Sequence, residues 1–147
     1  MSQFRQLTPD MAVSPQLAPS DVAAAAEQGF VLIVNNRPDG EEEGQPAGAE
    51  IAAAARAAGL GYVAIPVAGG GFGAPQVDAL TEALAAADGP VLGFCRTGTR
   101  STLLWALARA RAGDDPAVLA QQAAAAGYDL APVRQAMDVL AAQARPA

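Results

Sequence analysis

The sequence predicts an α/β fold with a mainly parallel central sheet flanked by helices, and two observations carry that prediction. Short apolar runs alternate with alanine-rich stretches of helix-compatible spacing, and turn residues mark the boundaries between them. Strands that alternate with helices imply βαβ units, whose strands run parallel beneath covering helices. The 147 residues, 52% of them hydrophobic, can bury one sizeable core but not two ordinary ones, so a single domain spanning 1–147 is expected.

Taken in order, Ala12-Val13 is the first strand candidate. Pro19-Ser20-Asp21 opens a helix through Ala23 to Ala26, and Gly29 closes it. Phe30 to Val34 is the next strand, and Ala52 to Ala58 a second helix that ends at Gly59. Tyr62 to Val67 returns as a strand. A third helix has Pro75 in its first turn and continues through Ala83 to Ala87, before the strand Val91 to Phe94. Helical patterns then follow at Ser101 to Arg111, Pro116 to Ala126 and Pro132 to Gln143. Alanine has the highest intrinsic helix propensity, so the alanine runs read as helices rather than as low-complexity linkers. About four or five strands are expected from this spacing.

Inventory excludes several functions. The chain has no His, so imidazole-ligated zinc, a His general base and a Ser-His-Asp arrangement are ruled out, and no metal or organic cofactor is expected. A net charge of −6, with no Lys and no basic stripe among the arginines, argues against a nucleic-acid partner. Met1-Ser2-Gln3-Phe4-Arg5 does not begin a signal peptide, and no apolar run is long enough to span a bilayer, so a cytoplasmic protein without a membrane partner is expected. One cysteine cannot form an internal disulfide.

That cysteine, Cys95, heads the segment Cys95-Arg96-Thr97-Gly98-Thr99-Arg100-Ser101, directly after a strand candidate and before a helix candidate. A single Cys after an apolar run is ordinarily a small buried hydrophobe. Here the next residues point elsewhere. Gly98 permits an unusual turn, Arg100 supplies a fixed cation, and a strand-to-helix junction presents unpaired N–H groups and the positive end of a helix dipole. Such a setting favours thiolate over thiol. The N–H groups of Arg96, Thr97, Gly98, Thr99 and Ser101, with the Arg100 guanidinium, therefore form a candidate anion cradle around a nucleophilic Cys95. The Ser101 hydroxyl either caps the following helix or bonds the thiolate.

Other segments carry weaker signals. Arg37-Pro38-Asp39-Gly40-Glu41-Glu42-Glu43 lies beyond the carboxyl end of a strand, where open α/β sheets collect ligands, and Arg37 is a candidate site-lining residue. The three glutamates read as a solvated turn, and Asp39 or Glu41 enters the site only if this loop folds over it. Gly69 to Gly73 reads as a connector or a lid with Phe72 as its plug, and Trp105 as core behind the loop.

The pattern Cys-x-x-Gly-x-Arg-Ser, with four residues between Cys95 and Arg100, resembles the active-site loop of rhodanese sulfurtransferases; cysteine-dependent phosphatases have five. Ser14-Pro15-Gln16-Leu17, Asn35 to Glu41, Gly59 to Val63, Ile65-Pro66-Val67 and Gly89-Pro90-Val91-Leu92, together with the Cys95 loop, resemble the bacterial DUF442 family, the phosphatase-like domain of beta-lactamase hydrolase-like proteins, also described as sulfur transferases. The resemblance implies a three-layer cysteine-phosphatase-like fold with a rhodanese-length loop, places Gln16 near the pocket, and implies a sulfur dioxygenase protein as a partner.

Two reactions compete. In sulfur transfer, Cys95 takes sulfane sulfur from a small anionic donor such as thiosulfate or a persulfide, holds it as a persulfide, and passes it to a thiol or cyanide acceptor. In phosphoester hydrolysis the leaving group benefits from a carboxylic acid, worth about 10²–10⁴-fold. The segment Pro66 to Ala74, where such a fold supplies that acid, contains no carboxylate, and Asp78 falls within a helix. Spacing and the missing acid favour sulfur transfer, with phosphatase chemistry as the alternative and a noncatalytic anion- or persulfide-binding protein as a third reading. The sulfur reading requires Cys95 to face an opening, with Arg100 unengaged opposite it.

Overall fold

In a computed structural model, which describes residues 3–68 and 71–144, the chain forms three layers around a five-stranded sheet of order β1-β2-β5-β3-β4. The strands are β1 (Arg5–Thr8), β2 (Met11–Ser14), β3 (Leu32–Asn35), β4 (Gly61–Ala64) and β5 (Val91–Phe94). All pairings are parallel except the β1–β2 hairpin at the edge. β5 is central, hydrogen-bonded to β2 on one side and β3 on the other, and its four residues are all buried. A parallel strand covered on both faces reads as a continuous apolar run, which is why it is visible in the sequence.

Side-chain alternation divides the core in two. Leu92 and Phe94 face α1 (Pro19–Glu27) and α2 (Gly48–Ala57), packing with Val22, Ala25, Ile51 and Ala55. Val91 faces the other layer, made of α3 (Ala74–Ala86), α4 (Thr99–Arg111), α5 (Pro116–Ala125) and α6 (Arg134–Ala144). The alanine-rich stretches are helical, as their propensity requires. Asp21 starts α1 by accepting from the Ala18 N–H at 2.7 Å, and Asp115 caps α5 through the Ala117 N–H at 2.9 Å. α4 is buried from Ser101 to Ala108 and lies against both α3 and α6, with Trp105 1% exposed in the core as the sequence implies.

Three details differ from the sequence reading. β1 carries exposed Arg5 and Gln6 and pairs on one side only, so its alternation is too weak to signal a strand. The last helix begins not at Pro132 but at Arg134, after a 3-10 turn over Ala131–Val133. Ile65 and Val67 lie past β4, although their N–H groups still bond the Asn35 and Asn36 carbonyls at 2.9 and 3.0 Å. Met1, Ser2, Gly69 and Gly70 lie outside the described residues, whereas Phe72 packs against the core. Among the described residues, no helix is long and apolar enough to cross a membrane.

Candidate active site

The Cys95 loop occupies the carboxyl end of the central strand, where the chain returns from β4 to insert β5 between β2 and β3. Such a switch point opens a crevice in α/β sheets. Gly93 lets α4 reach it, because a Cβ there would lie 3.2 Å from Met11 Cε and 3.5 Å from Ser101 Cβ. The first turn of α4 can therefore settle directly over β5, with its unpaired N–H groups near the thiol.

Gly98 makes the turn. Its φ of +89° suits glycine, and a Cβ would collide with the Tyr128 hydroxyl. The Gly98 N–H donates to Cys95 Sγ at 3.1 Å, the amide contact the thiol receives among the described hydrogen bonds. Among the described hydrogen bonds, none joins the thiol to the N–H groups of Arg96, Thr97, Thr99 or Ser101. Thr99 N–H donates to Thr97 Oγ1 at 3.4 Å, Thr97 Oγ1 donates to Thr99 Oγ1 at 3.0 Å, and Thr102 closes the first helical bond on the Gly98 carbonyl at 3.0 Å. Because α4 starts at Thr99 with Gly98 as its cap, Ser101 is not the cap; it is wholly buried and its Oγ has no hydrogen-bond partner.

Arg100 extends from the first turn of α4 and is held by Glu41 and the Val67 carbonyl. Its Nη1 donates to Glu41 Oε2 at 2.7 Å and to the Val67 carbonyl at 2.9 Å, and its Nη2 donates to Glu41 Oε1 at 2.8 Å. The Glu41 hydrogen bond raises the Arg100 pKa, burial opposes the rise, and the Cys95 charge adds to it. Of the five guanidinium N–H groups, Nε–H and the second on Nη2 are left for an anion beside Cys95.

Glu41 belongs to a second anchored unit. Asn35 and Asn36 end β3 with buried side chains, the first accepting from Arg37 N–H at 2.9 Å and the second donating to the Ile65 carbonyl at 2.9 Å. The turn they fix sends the Arg37 side chain inward, 3% exposed. Its Nε bonds Glu41 Oε1, its Nη2 bonds Glu42 Oε1, both at 2.9 Å, and its Nη1 bonds Gln16 Oε1 at 3.0 Å. The Arg100 hydrogen bond, with Arg37 adding to it, holds the Glu41 carboxyl at about 2 against burial, which acts the other way. The glutamate run is thus not a solvated turn throughout: Glu41 joins both arginines. Asp39, by contrast, accepts from Gly48 N–H at 2.8 Å at the start of α2, away from the thiol. Asp78 pairs with Arg111 at 2.9 Å behind α4.

A depression of about 380 Å³ over this cluster is lined by Arg37, Glu41, Glu42, Arg96 and Arg100. Arg96 borders it with a largely exposed side chain, 3.9 Å from Glu42. Cys95 itself has no exposed surface, and Arg100 is engaged. Both observations run against the open thiol and free guanidinium that attack by Cys95 requires, on phosphorus as on sulfane sulfur, so the site as it stands is closed over its nucleophile. A larger cavity, about 690 Å³, lies at the amino ends of the strands near Asp10, Trp105 and Arg109, away from Cys95.

The sequence reading missed Tyr128, which had no local signal, and admitted Glu41 only on condition that its loop fold over the site, a condition its pairing with Arg100 meets. From beyond α5, the Tyr128 hydroxyl donates to the Thr97 carbonyl at 3.1 Å, and its ring lies 5.3 Å below the Arg5 guanidinium.

The family described as "Beta-lactamase hydrolase-like protein, phosphatase-like domain" matches residues 3–112. A beta-lactamase hydrolase-like protein of Agrobacterium fabrum is 41% identical over 103 residues, 70% of this chain but 23% of that protein. One from Xylella fastidiosa is 40% identical over 97 residues, 66% of this chain and 22% of that protein. The chain thus spans less than a quarter of these relatives. Among solved structures, a protein of Neisseria meningitidis provisionally described as a phosphatase superposes with a TM-score of 0.82 at 35% identity, covering 95% of this chain and 99% of that one. The structure called Tk-PTP superposes at 0.73 with 15% identity, covering 96% and 97%, and shares the fold.

Proposed function

We propose, since this chain belongs to the phosphatase-like domain family of beta-lactamase hydrolase-like proteins, that it is a cysteine-dependent phosphatase acting on small anionic phosphoesters. The observation that carries the reading is Cys95 Sγ held by the Gly98 N–H at 3.1 Å under the first turn of α4, with Arg100 rising from that same turn. A dianionic phosphoryl group entering this site meets the helix N-terminus and the two remaining Arg100 donors. The thiolate attacks phosphorus, the S–P bond forms, and the ester P–O bond breaks. Water then attacks the phosphocysteine, the S–P bond breaks, orthophosphate departs and the thiolate returns.

The site restricts the leaving group. Glu41 is ionised near neutral pH and Pro66 to Ala74 offers no carboxyl, so neither supplies an acid to protonate the departing oxygen. Esters of acidic alcohols, above all aryl phosphates, are the substrates that manage without one. Sulfane-sulfur transfer through a Cys95 persulfide is the second reading, favoured by the four-residue spacing from Cys95 to Arg100 and by the same missing acid, because sulfite or a thiolate leaves unprotonated. A small anionic donor, a thiol acceptor and a sulfur dioxygenase protein would then be its partners.

Para-nitrophenyl phosphate and thiosulfate separate the readings. Phosphatase chemistry gives phosphate release by the wild type and none by Cys95→Ser. Sulfur transfer gives one sulfur atom on the intact mass of the wild type after thiosulfate, without ester turnover. A folded, reduced protein that does neither is an anion-binding module and overturns both.

A further inference from the structure

We infer that Tyr128 is a positioning residue for the nucleophile, acting on Cys95 through the peptide bond between Thr97 and Gly98. The peptide is planar and trans, so its C=O and N–H point in opposite directions. Tyr128 Oη donates to the oxygen of this peptide at 3.1 Å, and the nitrogen of the same peptide donates to Cys95 Sγ at 3.1 Å. The phenol thus fixes the direction of the amide that, among the described residues, donates to the thiol. It also polarises that amide, since a hydrogen bond accepted at the carbonyl makes the N–H a stronger donor, a cooperative chain from O–H through the peptide to sulfur.

The surroundings hold Tyr128 in this role. Its ring is buried beneath Arg5 of β1, and its hydroxyl lies so close to Gly98 that no side chain fits there. Burial raises the phenol pKa, Arg5 lowers it, and the Cys95 charge raises it, so the net shift favours the protonated, donating phenol. Arg100 and, through it, Glu41 are charged groups near the thiol, and Arg37, Glu42 and Arg96 line the depression with them. Tyr128 lies beyond the span matched by the family, so the helical segment after α4 contributes directly to the chemistry of the loop. The inference rests on Cys95 as the nucleophile and is indifferent to whether phosphorus or sulfur is attacked.

The test reads the thiol without a substrate. Alkylation of Cys95 by iodoacetamide is followed against pH in the wild type and Tyr128→Phe, which keeps the ring and its contact with Arg5. The expected result is a midpoint about half a pH unit higher in Tyr128→Phe, equivalent to a roughly threefold slower reaction on the acid limb. The midpoint is decisive because altered access scales the plateau and leaves the midpoint in place. Should Tyr128→Phe fail to fold, the coupling is read from the other side by reciprocity. In a Tyr62→Phe background, Cys95→Ser should lower the titration midpoint of the remaining phenol. Superimposable alkylation profiles in a folded Tyr128→Phe, or a phenol titration indifferent to Cys95→Ser, overturns the inference, whereas loss of phosphatase activity alone leaves these readouts intact.

Discussion

Glu41 grips Arg100 with both carboxylate oxygens, at 2.7 Å to Nη1 and 2.8 Å to Nη2, across 59 residues of chain. The pair fixes the plane of the guanidinium, and the same carboxylate ties in Arg37. Glu41→Gln keeps the shape but removes the charge-assisted fork. We expect kcat/KM for para-nitrophenyl phosphate to fall about tenfold, equivalent to ~1.4 kcal/mol of transition-state stabilisation. An unchanged kcat/KM would mean that Arg100 needs no such support.

The same carboxyl sets an acid limit. Its pKa is about 2 when folded against 4.5 ordinarily, chiefly through the Arg100 hydrogen bond. A depressed folded value gives stability that is present in full above the unfolded pKa and is lost as pH falls through the folded one. The stability difference between wild type and Glu41→Gln, read by urea unfolding, is therefore expected to hold constant above about pH 4.5 and to shrink toward pH 2. A difference that grows on acidification contradicts this assignment.

Gly98 is constrained twice, by its φ of +89° and by the Tyr128 hydroxyl. Gly98→Ala has to pay for a left-handed backbone, about 1–2 kcal/mol, and displace the phenol as well. Urea unfolding should show at least that loss, and alkylation of Cys95 should lose its dependence on Tyr128.

Ser101 has a buried hydroxyl with no partner. Ser101→Ala is accordingly expected to leave stability unchanged or raise it by up to ~1 kcal/mol, since no hydrogen bond is lost. A slower second step, seen as a larger burst of para-nitrophenol before the steady state, would assign the hydroxyl to the departing thiolate. A clear loss of stability would instead reveal a bond made in the folded protein.

Arg37 bonds three different side chains through three different nitrogens. Lysine offers one ammonium and no planar fork. Arg37→Lys should cost about 1–3 kcal/mol in urea unfolding, less than a fully buried pair because Glu42 is half exposed.

The layered fold was legible because its elements are local. Val91 to Phe94 is buried on both faces and so contiguous in hydrophobicity, and the helices declare themselves through alanine, Pro19, Pro75 and Pro116. β1 escaped because an edge strand with one partner needs little apolar surface. The Cys95 loop was legible for the same reason as β5: nucleophile, turn glycine and arginine are consecutive in the chain, so strand, bend and helix onset can be read together.

The sequence alone therefore determined an α/β chain with a thiol at the start of a helix and a cation one turn on, because short-range backbone preferences dictate such a junction. Tertiary structure decided what meets that junction. Glu41 and Tyr128 are brought to Arg100 and Gly98 by packing between elements far apart in the chain, and neither residue's own neighbours encode the contact. Folding likewise closed the site over Cys95, because the coverage of a side chain depends on the layers stacked around it rather than on the residues beside it.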